Sequence, residues 1–363
     1  ITDPGTGTSQ TVDQRSASQA QREDLVMDVR TPQPLVPAHV PRNHPVVTRE
    51  YSLFTPAIAT MVDRVAGWID DQVDGATIFG PSRFGKSSAV HHWLQALLSE
   101  RYGGHVPMVV WSHSESGASS PGQFHSHLLH ASRHPLAKAA RSPMDRQEML
   151  VERLALLAAQ GGGRFVVLVI DEAQSMTQRE WMWLVELHSR LELDRLRLCV
   201  FSVASVQVFD EPIGMALTGG AHVAARFMLS SEKFNGVRDV DELRYVLSGY
   251  DDGAEWPKGS GLSFTQGLAP RAWEEGFRMA SLAEGLHQAM VDALPEKYDG
   301  PTEFPMRSVA MSARHALLRI AGGADPSNLM SVSTLRSIVE GTGHTMLMAV
   351  VTAITPRLRK RHG

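Results

Sequence analysis

The chain holds a single cysteine, Cys199, among its 363 residues. One thiol cannot close an internal disulfide, and it cannot supply the paired thiolates of a structural zinc site. A reducing, cytosolic setting is therefore expected. Long apolar runs are missing as well. The longest unbroken aliphatic or aromatic stretch is Phe165-Val166-Val167-Leu168-Val169-Ile170, against the ~20 residues that cross a bilayer as a helix. No apolar stretch near the start reads as a signal peptide. Nor is there an excess of one charge, since 35 Lys and Arg stand against 39 Asp and Glu for a formal net charge of −4. Any nucleic-acid surface must then be local. No internal repeat is visible. What remains is an ordinary composition with 43% hydrophobic residues, enough for one large domain or two smaller ones with a proper core.

Residues 1–45 are rich in Gln, Ser, Thr, Asp and Pro, and the prolines at 32, 34, 37 and 41 read as an extended linker. A mostly disordered arm is expected there. Between 54 and 69 the apolar positions Ile58, Met61, Val62 and Val65 recur at helical spacing, which predicts an amphipathic helix leading into a folded core that starts near Val46. Short apolar strands then alternate with helices, the pattern of an α/β fold with a parallel sheet. Strands are predicted at 76–79, 106–111, 165–170 and 197–203, with a short fifth at 226–229. Helices are predicted at 86–99, 148–159 and 178–193. After about Lys233 the strand signals stop, and helical patterns follow at 241–247, 270–293, 306–321 and 332–355. The expected organisation is an α/β domain over 46–233, a helical lid over 234–355 and a basic tail over 356–363.

Gly80-Pro81-Ser82-Arg83-Phe84-Gly85-Lys86-Ser87 matches G-x-x-x-x-G-K-[ST] in full, between a predicted strand and a predicted helix. The glycines let the backbone curl so that its N–H groups, through Ser88, face phosphates at a helix N-terminus. Lys86 reaches the β- and γ-phosphates, and Ser87 offers its hydroxyl to Mg²⁺. The run Leu168-Val169-Ile170-Asp171-Glu172 puts two carboxylates at the C-terminal end of an apolar strand, the edge where open parallel sheets bind ligands. Asp171 is placed to serve Mg²⁺, and Glu172 to orient and deprotonate an attacking water. A helix cap for the segment after Thr177 would account for Asp171 alone, but not for the second acid. Together the two motifs argue for Mg-dependent ATP hydrolysis.

These motifs resemble those of AAA+ ATPases. Val169-Ile170-Asp171-Glu172-Ala173-Gln174 is similar to the acidic motif of the TnsC/TniB-type ATPases of heteromeric DNA transposons, relatives of the phage Mu B protein. Ala225-Arg226-Phe227-Met228-Leu229 and the stretch from Phe234 to Leu247 resemble the arginine-phenylalanine segment and the start of the lid in that branch. The resemblance implies a five-stranded P-loop fold and a homo-oligomer, as ring or helical filament. It implies that such an assembly forms on double-stranded DNA without sequence preference and recruits or activates a transposase beside a target-selection factor. It also implies that Arg226 reaches the γ-phosphate held by a neighbouring subunit; a surface arginine is the alternative. Ser202 or Ser205, at the end of the strand beside the acidic one, is expected to sense the phosphate or cap a helix. A lid arginine is expected as well. The stretch from Glu340 to Met346, which resembles the lid's last turn, has none, leaving Arg314, Arg319 or no residue in that role.

The connection at 112–147 is long and holds Arg133, Lys138, Arg141 and Arg146 against Glu115 and Asp145. In transposition ATPases the equivalent region faces DNA, and phosphate contacts from these residues would be salt-sensitive. A solvated helix face is the alternative. His113, His125, His127, His130 and His134 share the stretch; without a cysteine or a well-spaced acid, polar packing is expected there ahead of a metal. A nucleotide-dependent protein-scaffold or signalling ATPase that does not bind DNA is the alternative function.

Overall fold

The computed structural model describes residues 34–205 and 216–354. The basic tail and most of the N-terminal arm lie outside the described residues. Helix α1 (Pro56–Asp70) is capped by Thr55, whose Oγ1 accepts the Ile58 N–H at 3.3 Å, and buries Ile58, Met61, Val62 and Val65. Strand β1 (Gly75–Phe79) leads through the glycine loop into α2. That helix begins as Lys86–Ala89, passes through a π-turn at Val90–Leu94 and continues as Gln95–Arg101. There follow β2 (Met108–Ser112), α3 (Pro121–Ala131), α4 (Pro143–Gln160), β3 (Phe165–Asp171), α5 (Gln178–Leu193), β4 (Arg197–Ala204), α6 (Ala221–Phe227) and β5 (Ser230–Lys233).

The five strands are parallel in the order β2-β3-β4-β1-β5. Both faces of the sheet are covered, so its inner strands are largely apolar, and period-two alternation sorts their side chains between two cores. Val166, Leu168 and Ile170 of β3 join the core beneath α3, α4 and α5, while Val167 and Val169 join the core beneath α1 and α2. Cys199 on β4 is fully buried in that second core. Burial pushes its thiol pKa up, so it is a core residue and not a nucleophile.

The fifth strand starts one residue beyond the stretch expected to form it. Arg226 and Phe227 end helix α6, because Val223 and Phe227 lie one turn apart and bury together; β5 follows as Ser230–Lys233. Helix α4 is longer than its apolar pattern, since Ser142 and Asp145 form a capping box with Pro143 in the first turn. The long connection at 112–147 contains the further helix α3.

The helical part comprises α7 (Val240–Ser248), the short turns Phe264–Leu268 and Pro270–Glu274, then α8 (Ala283–Asp292), α9 (Met306–Ala321), α10 (Val332–Gly341) and α11 (His344–Ile354). Two stretches expected as single helices are broken. Gly276 at φ +92° separates Pro270–Glu274 from α8, and Gly343 at φ +75° separates α10 from α11. The end of the arm expected to be disordered is packed here: Val40 is 3% exposed in the helical core, with Leu35 and Val36 against it, and Val46 and Leu53 share that core. Glu303 ties the two parts together by accepting from Lys233 Nζ at the end of β5 and from the Gly236 N–H at 3.3 Å. Among the described residues no helix is long and apolar enough to cross a membrane.

Candidate nucleotide site

The glycine loop is built by close approach. A Cβ on Gly80 would stand 2.6 Å from the Phe234 carbonyl oxygen, so the chain leaving β5 packs directly on the loop backbone. Gly85 has φ +109°, the left-handed conformation that favours glycine, and opens α2 with no side-chain cap. The first N–H groups of that helix are therefore free to face an anion. Lys86 Nζ donates to the Gly80 and Pro81 carbonyls, both at 2.8 Å. Burial lowers its pKa to about 8, with Glu172 and Asp171 pulling the other way. Ser52 and Ser88 share a hydroxyl hydrogen bond of 2.7 Å, and Trp93 Nε1 donates to Ser52 Oγ at 2.8 Å. The segment preceding α1 is thereby fastened to the loop.

Asp171 ends β3 and is 4% exposed. Its Oδ1 accepts the Glu172 N–H at 3.1 Å, and its Oδ2 lies 3.6 Å from His91 Nε2. Glu172 turns out of the strand at φ +60°. Gln174 bridges the acidic motif to β4, because its Nε2 donates to Glu172 Oε2 while its Oε1 accepts the Ser205 N–H at 3.0 Å.

These groups line a cleft of about 660 Å³ together with Arg49, Tyr51, Leu53 and Ile58 on one side and Met306, Arg307, Met311 and Arg314 of α9 on the other. The volume suits a small organic ligand. Ser82 to Ser88, Asp171 and Glu172 make its polar end, and Leu53, Ile58, Met306 and Met311 its apolar side, which fits a phosphate chain and a flat base. The residues also fit a divalent cation: Asp171 is a buried carboxylate with one close N–H partner, and Ser87 lines the same cleft.

Of the two serines expected as a sensor, Ser205 lines the cleft and Ser202 does not. Ser202 pairs in register with Thr77 and Ile170 inside the sheet, fully buried. Of the two lid arginines, Arg319 is absent from the cleft lining. Arg314 lines it but is engaged, donating to the Val46 carbonyl at 2.8 Å and the Val47 carbonyl at 3.3 Å. The sequence reading missed Arg307. It sits in the first turn of α9, its N–H donates to the Arg83 carbonyl at 3.2 Å, and among the described residues no hydrogen bond or ion pair holds its guanidinium. Nothing local marks it, because only the fold of the lid brings that turn over the loop.

Arg226 lies in the last turn of α6 and is absent from the cleft lining. Its Nη1 donates to Ser189 Oγ at 3.1 Å and its Nη2 stands 3.9 Å from Glu192 near the end of α5. In the connection at 112–147, Arg133, Lys138 and Arg141 are exposed. Arg146 instead donates to the Gly122 carbonyl at 3.2 Å and ties α4 to α3. His113 Nε2 is 2.9 Å from Glu180 Oε1, and both are buried; Glu180 also accepts the N–H groups of Ala118 and Thr177 and closes the capping box of α5. His113 is thus a packing histidine.

A family model described as an AAA domain matches residues 74–206, the span from β1 through β4 with both motifs. No curated protein matches. Among solved structures, the Aeropyrum pernix ORC2 protein in its ADPNP-ADP complexes is similar at 14% identity and a TM-score of 0.55, over 82% of this chain and 71% of that one. Drosophila ORC bound to DNA is similar at 13% identity and a TM-score of 0.48, over 80% and 67%. A Walker-type ATPase of Pyrococcus abyssi is similar at 13% identity and a TM-score of 0.47, over 83% and 75%. At such identities the likeness is one of fold. Residues 74–206 thus match an AAA domain, and the parallel order β2-β3-β4-β1-β5 with a C-terminal helical region is AAA+-like in fold.

Proposed function

We propose that this protein is a Mg-dependent ATPase that assembles on duplex DNA in its ATP state, recruits or activates a transposase there, and disassembles on hydrolysis. The observation that carries the ATPase reading is the convergence of the glycine loop, the Asp171-Glu172 pair and Arg307 on one cleft of about 660 Å³. The A. pernix ORC2 protein, of like fold, is described with ADPNP and ADP. The transposition context is supported by the similarity of Val169 to Gln174 to the acidic motif of TnsC/TniB-type ATPases.

In this reading the loop N–H groups and Lys86 hold the β- and γ-phosphates. Ser87 and Asp171 hold Mg²⁺, which supplies charge neutralisation on the phosphate oxygens when bound. Glu172 accepts the proton of the attacking water, and Gln174 keeps its carboxylate aimed while tying it to Ser205 just after β4. Arg307 reaches the phosphates from the lid of the same chain. Arg226 cannot serve its own loop and acts on a neighbour's nucleotide, which makes assembly nucleotide-dependent. Arg133, Lys138 and Arg141 supply phosphate contacts to DNA, and Arg146 does not.

Leu136 (49% exposed) and Met144 (72% exposed) lie among these cations in the chain, which favours as a second reading a protein partner at the same loop. A gel-shift assay on random-sequence duplex DNA separates the two. ATP-dependent, sequence-independent binding is expected, and its absence with ATP hydrolysis intact would select the protein-scaffold reading.

A further inference from the structure

We propose a second cation site, separate from the nucleotide cleft and at the opposite, N-terminal edge of the sheet, where Asp74, His188 and Glu192 bind a borderline divalent cation of the zinc class. Asp74 immediately precedes β1, and its carbonyl accepts the Val200 N–H of β4 at 2.8 Å. His188 and Glu192 lie one turn apart on α5 and so share a face. Strand pairing and helix docking bring Asp74 to these two from more than a hundred residues away in the chain.

The strongest sign is the imidazole. His188 is 1% exposed, and among the described residues neither ring nitrogen makes a hydrogen bond of regular geometry, the Leu198 backbone being a distant polar neighbour. A buried polar group left so is rare unless something else satisfies it. What faces it is anionic: Nε2 lies 3.6 Å from Asp74 Oδ1 and Nδ1 lies 3.6 Å from Glu192 Oε2. Those gaps exceed a hydrogen bond and fall on different ring nitrogens; an ion held through Nε2 beside Asp74, whose gap is close to the ~3.3 Å between two ligands of a tetrahedral zinc ion, requires Glu192 to swing toward that side. One nitrogen or oxygen from each of the three residues lies within 4.8 Å of the others, so modest side-chain rotation closes the set around one ion.

The surroundings agree with that assignment. The edge of His188 meets the Phe227 ring at 5.5 Å, which leaves the ring no polar partner on that face. Both carboxylates are partly exposed, at 42% and 51% of their side chains, so an ion can enter and keep water in its remaining positions. One imidazole and two carboxylates without thiolate suit Zn²⁺, Co²⁺ or Mn²⁺ over soft cations. The one competing charge is Arg226, 3.9 Å from Glu192. A bound ion takes Glu192 from that arginine and leaves it with Ser189 alone; this consequence rests on the proposed role of Arg226, whereas the site itself does not.

The test uses the full chain, chelator-stripped and nucleotide-free, titrated calorimetrically with Zn²⁺. Wild type is expected to show one site per chain that weakens by about tenfold or more in Asp74→Asn/Glu192→Gln. Both substitutions are at solvent-reaching carboxylates, and an unchanged thermal melt without metal verifies that the variant is folded. His188→Ala should lose the same site. Zinc captured by exposed histidines elsewhere is untouched by these changes, so superimposable isotherms for wild type and the double variant would overturn the proposal. Because no nucleotide is present, that failure is distinct from any failure of the ATPase reading.

Discussion

The two edges of one parallel sheet are built on opposite plans. At the C-terminal edge the ligand groups come in runs: Gly80 to Ser88 is one continuous stretch, and Asp171, Glu172 and Gln174 are near neighbours. At the N-terminal edge Asp74, His188, Glu192 and Arg226 come from three segments that only strand register and helix docking unite. The difference follows from what serves as ligand. A phosphate chain is bound mainly by backbone N–H groups, so the local conformation of a short loop is itself the site. A metal or a trans-acting arginine needs side chains, and these can be supplied from anywhere.

The largest expected effect separates the edges cleanly. Lys86→Ala should cut ATP hydrolysis by about 10³-fold or more while leaving the zinc isotherm unchanged, as read by phosphate release and calorimetry on the same preparation. If both fall together, the two edges are not independent. Glu172→Gln should lower hydrolysis by about 10²- to 10⁴-fold with ATP affinity retained. An equal loss of affinity would make Glu172 a part of the binding frame and not the base.

A third effect is set by pH. Lys86 is charged below about 8 in the free protein, and phosphate binding favours the charged form. ATP affinity measured with chelator present should therefore be insensitive to this group below pH 8. Above it, affinity should fall by up to about tenfold per unit. Lys86→Ala should abolish that slope. The smallest effect lies between β2 and β3. Replacing Arg133, Lys138 and Arg141 together by Ala should reduce the slope of log affinity for DNA against log salt by about 0.9 per lost phosphate contact. Arg146→Ala should act through stability instead, because that guanidinium holds Gly122.

The same contrast explains what the sequence could disclose. Helix α9 falls on Met306–Ala321 as its apolar periodicity dictates, and β3 and β4 follow from runs that only a sheet covered on both faces makes. Phe227-Met228-Leu229 read as a strand because a short apolar run has no period to reveal; burial of Val223 with Phe227 makes it the end of a helix. The stretch 270–293 read as one helix although Gly276 was in view, since a lone glycine lowers helix propensity without saying where the chain will turn. The glycine loop stands in the sequence as one continuous motif, and Ser82 to Ser88 of it line the cleft. Arg307 was not legible, being one arginine among many until the lid folds over the loop, and neither was the engagement of Arg314 by the carbonyls of Val46 and Val47.

The central claim is that the two edges meet between subunits, with the C-terminal edge of one holding the nucleotide and Arg226 of the next completing it. The most direct test mixes two inactive proteins in the presence of duplex DNA and ATP. Glu172→Gln keeps the arginine and loses the base; Arg226→Ala keeps the base and loses the arginine. Hydrolysis in the mixture well above the sum of the separate proteins is the predicted result, since mixed neighbours pair an intact cleft with an intact arginine. A mixture no more active than that sum, with both variants folded and binding ATP, would contradict it.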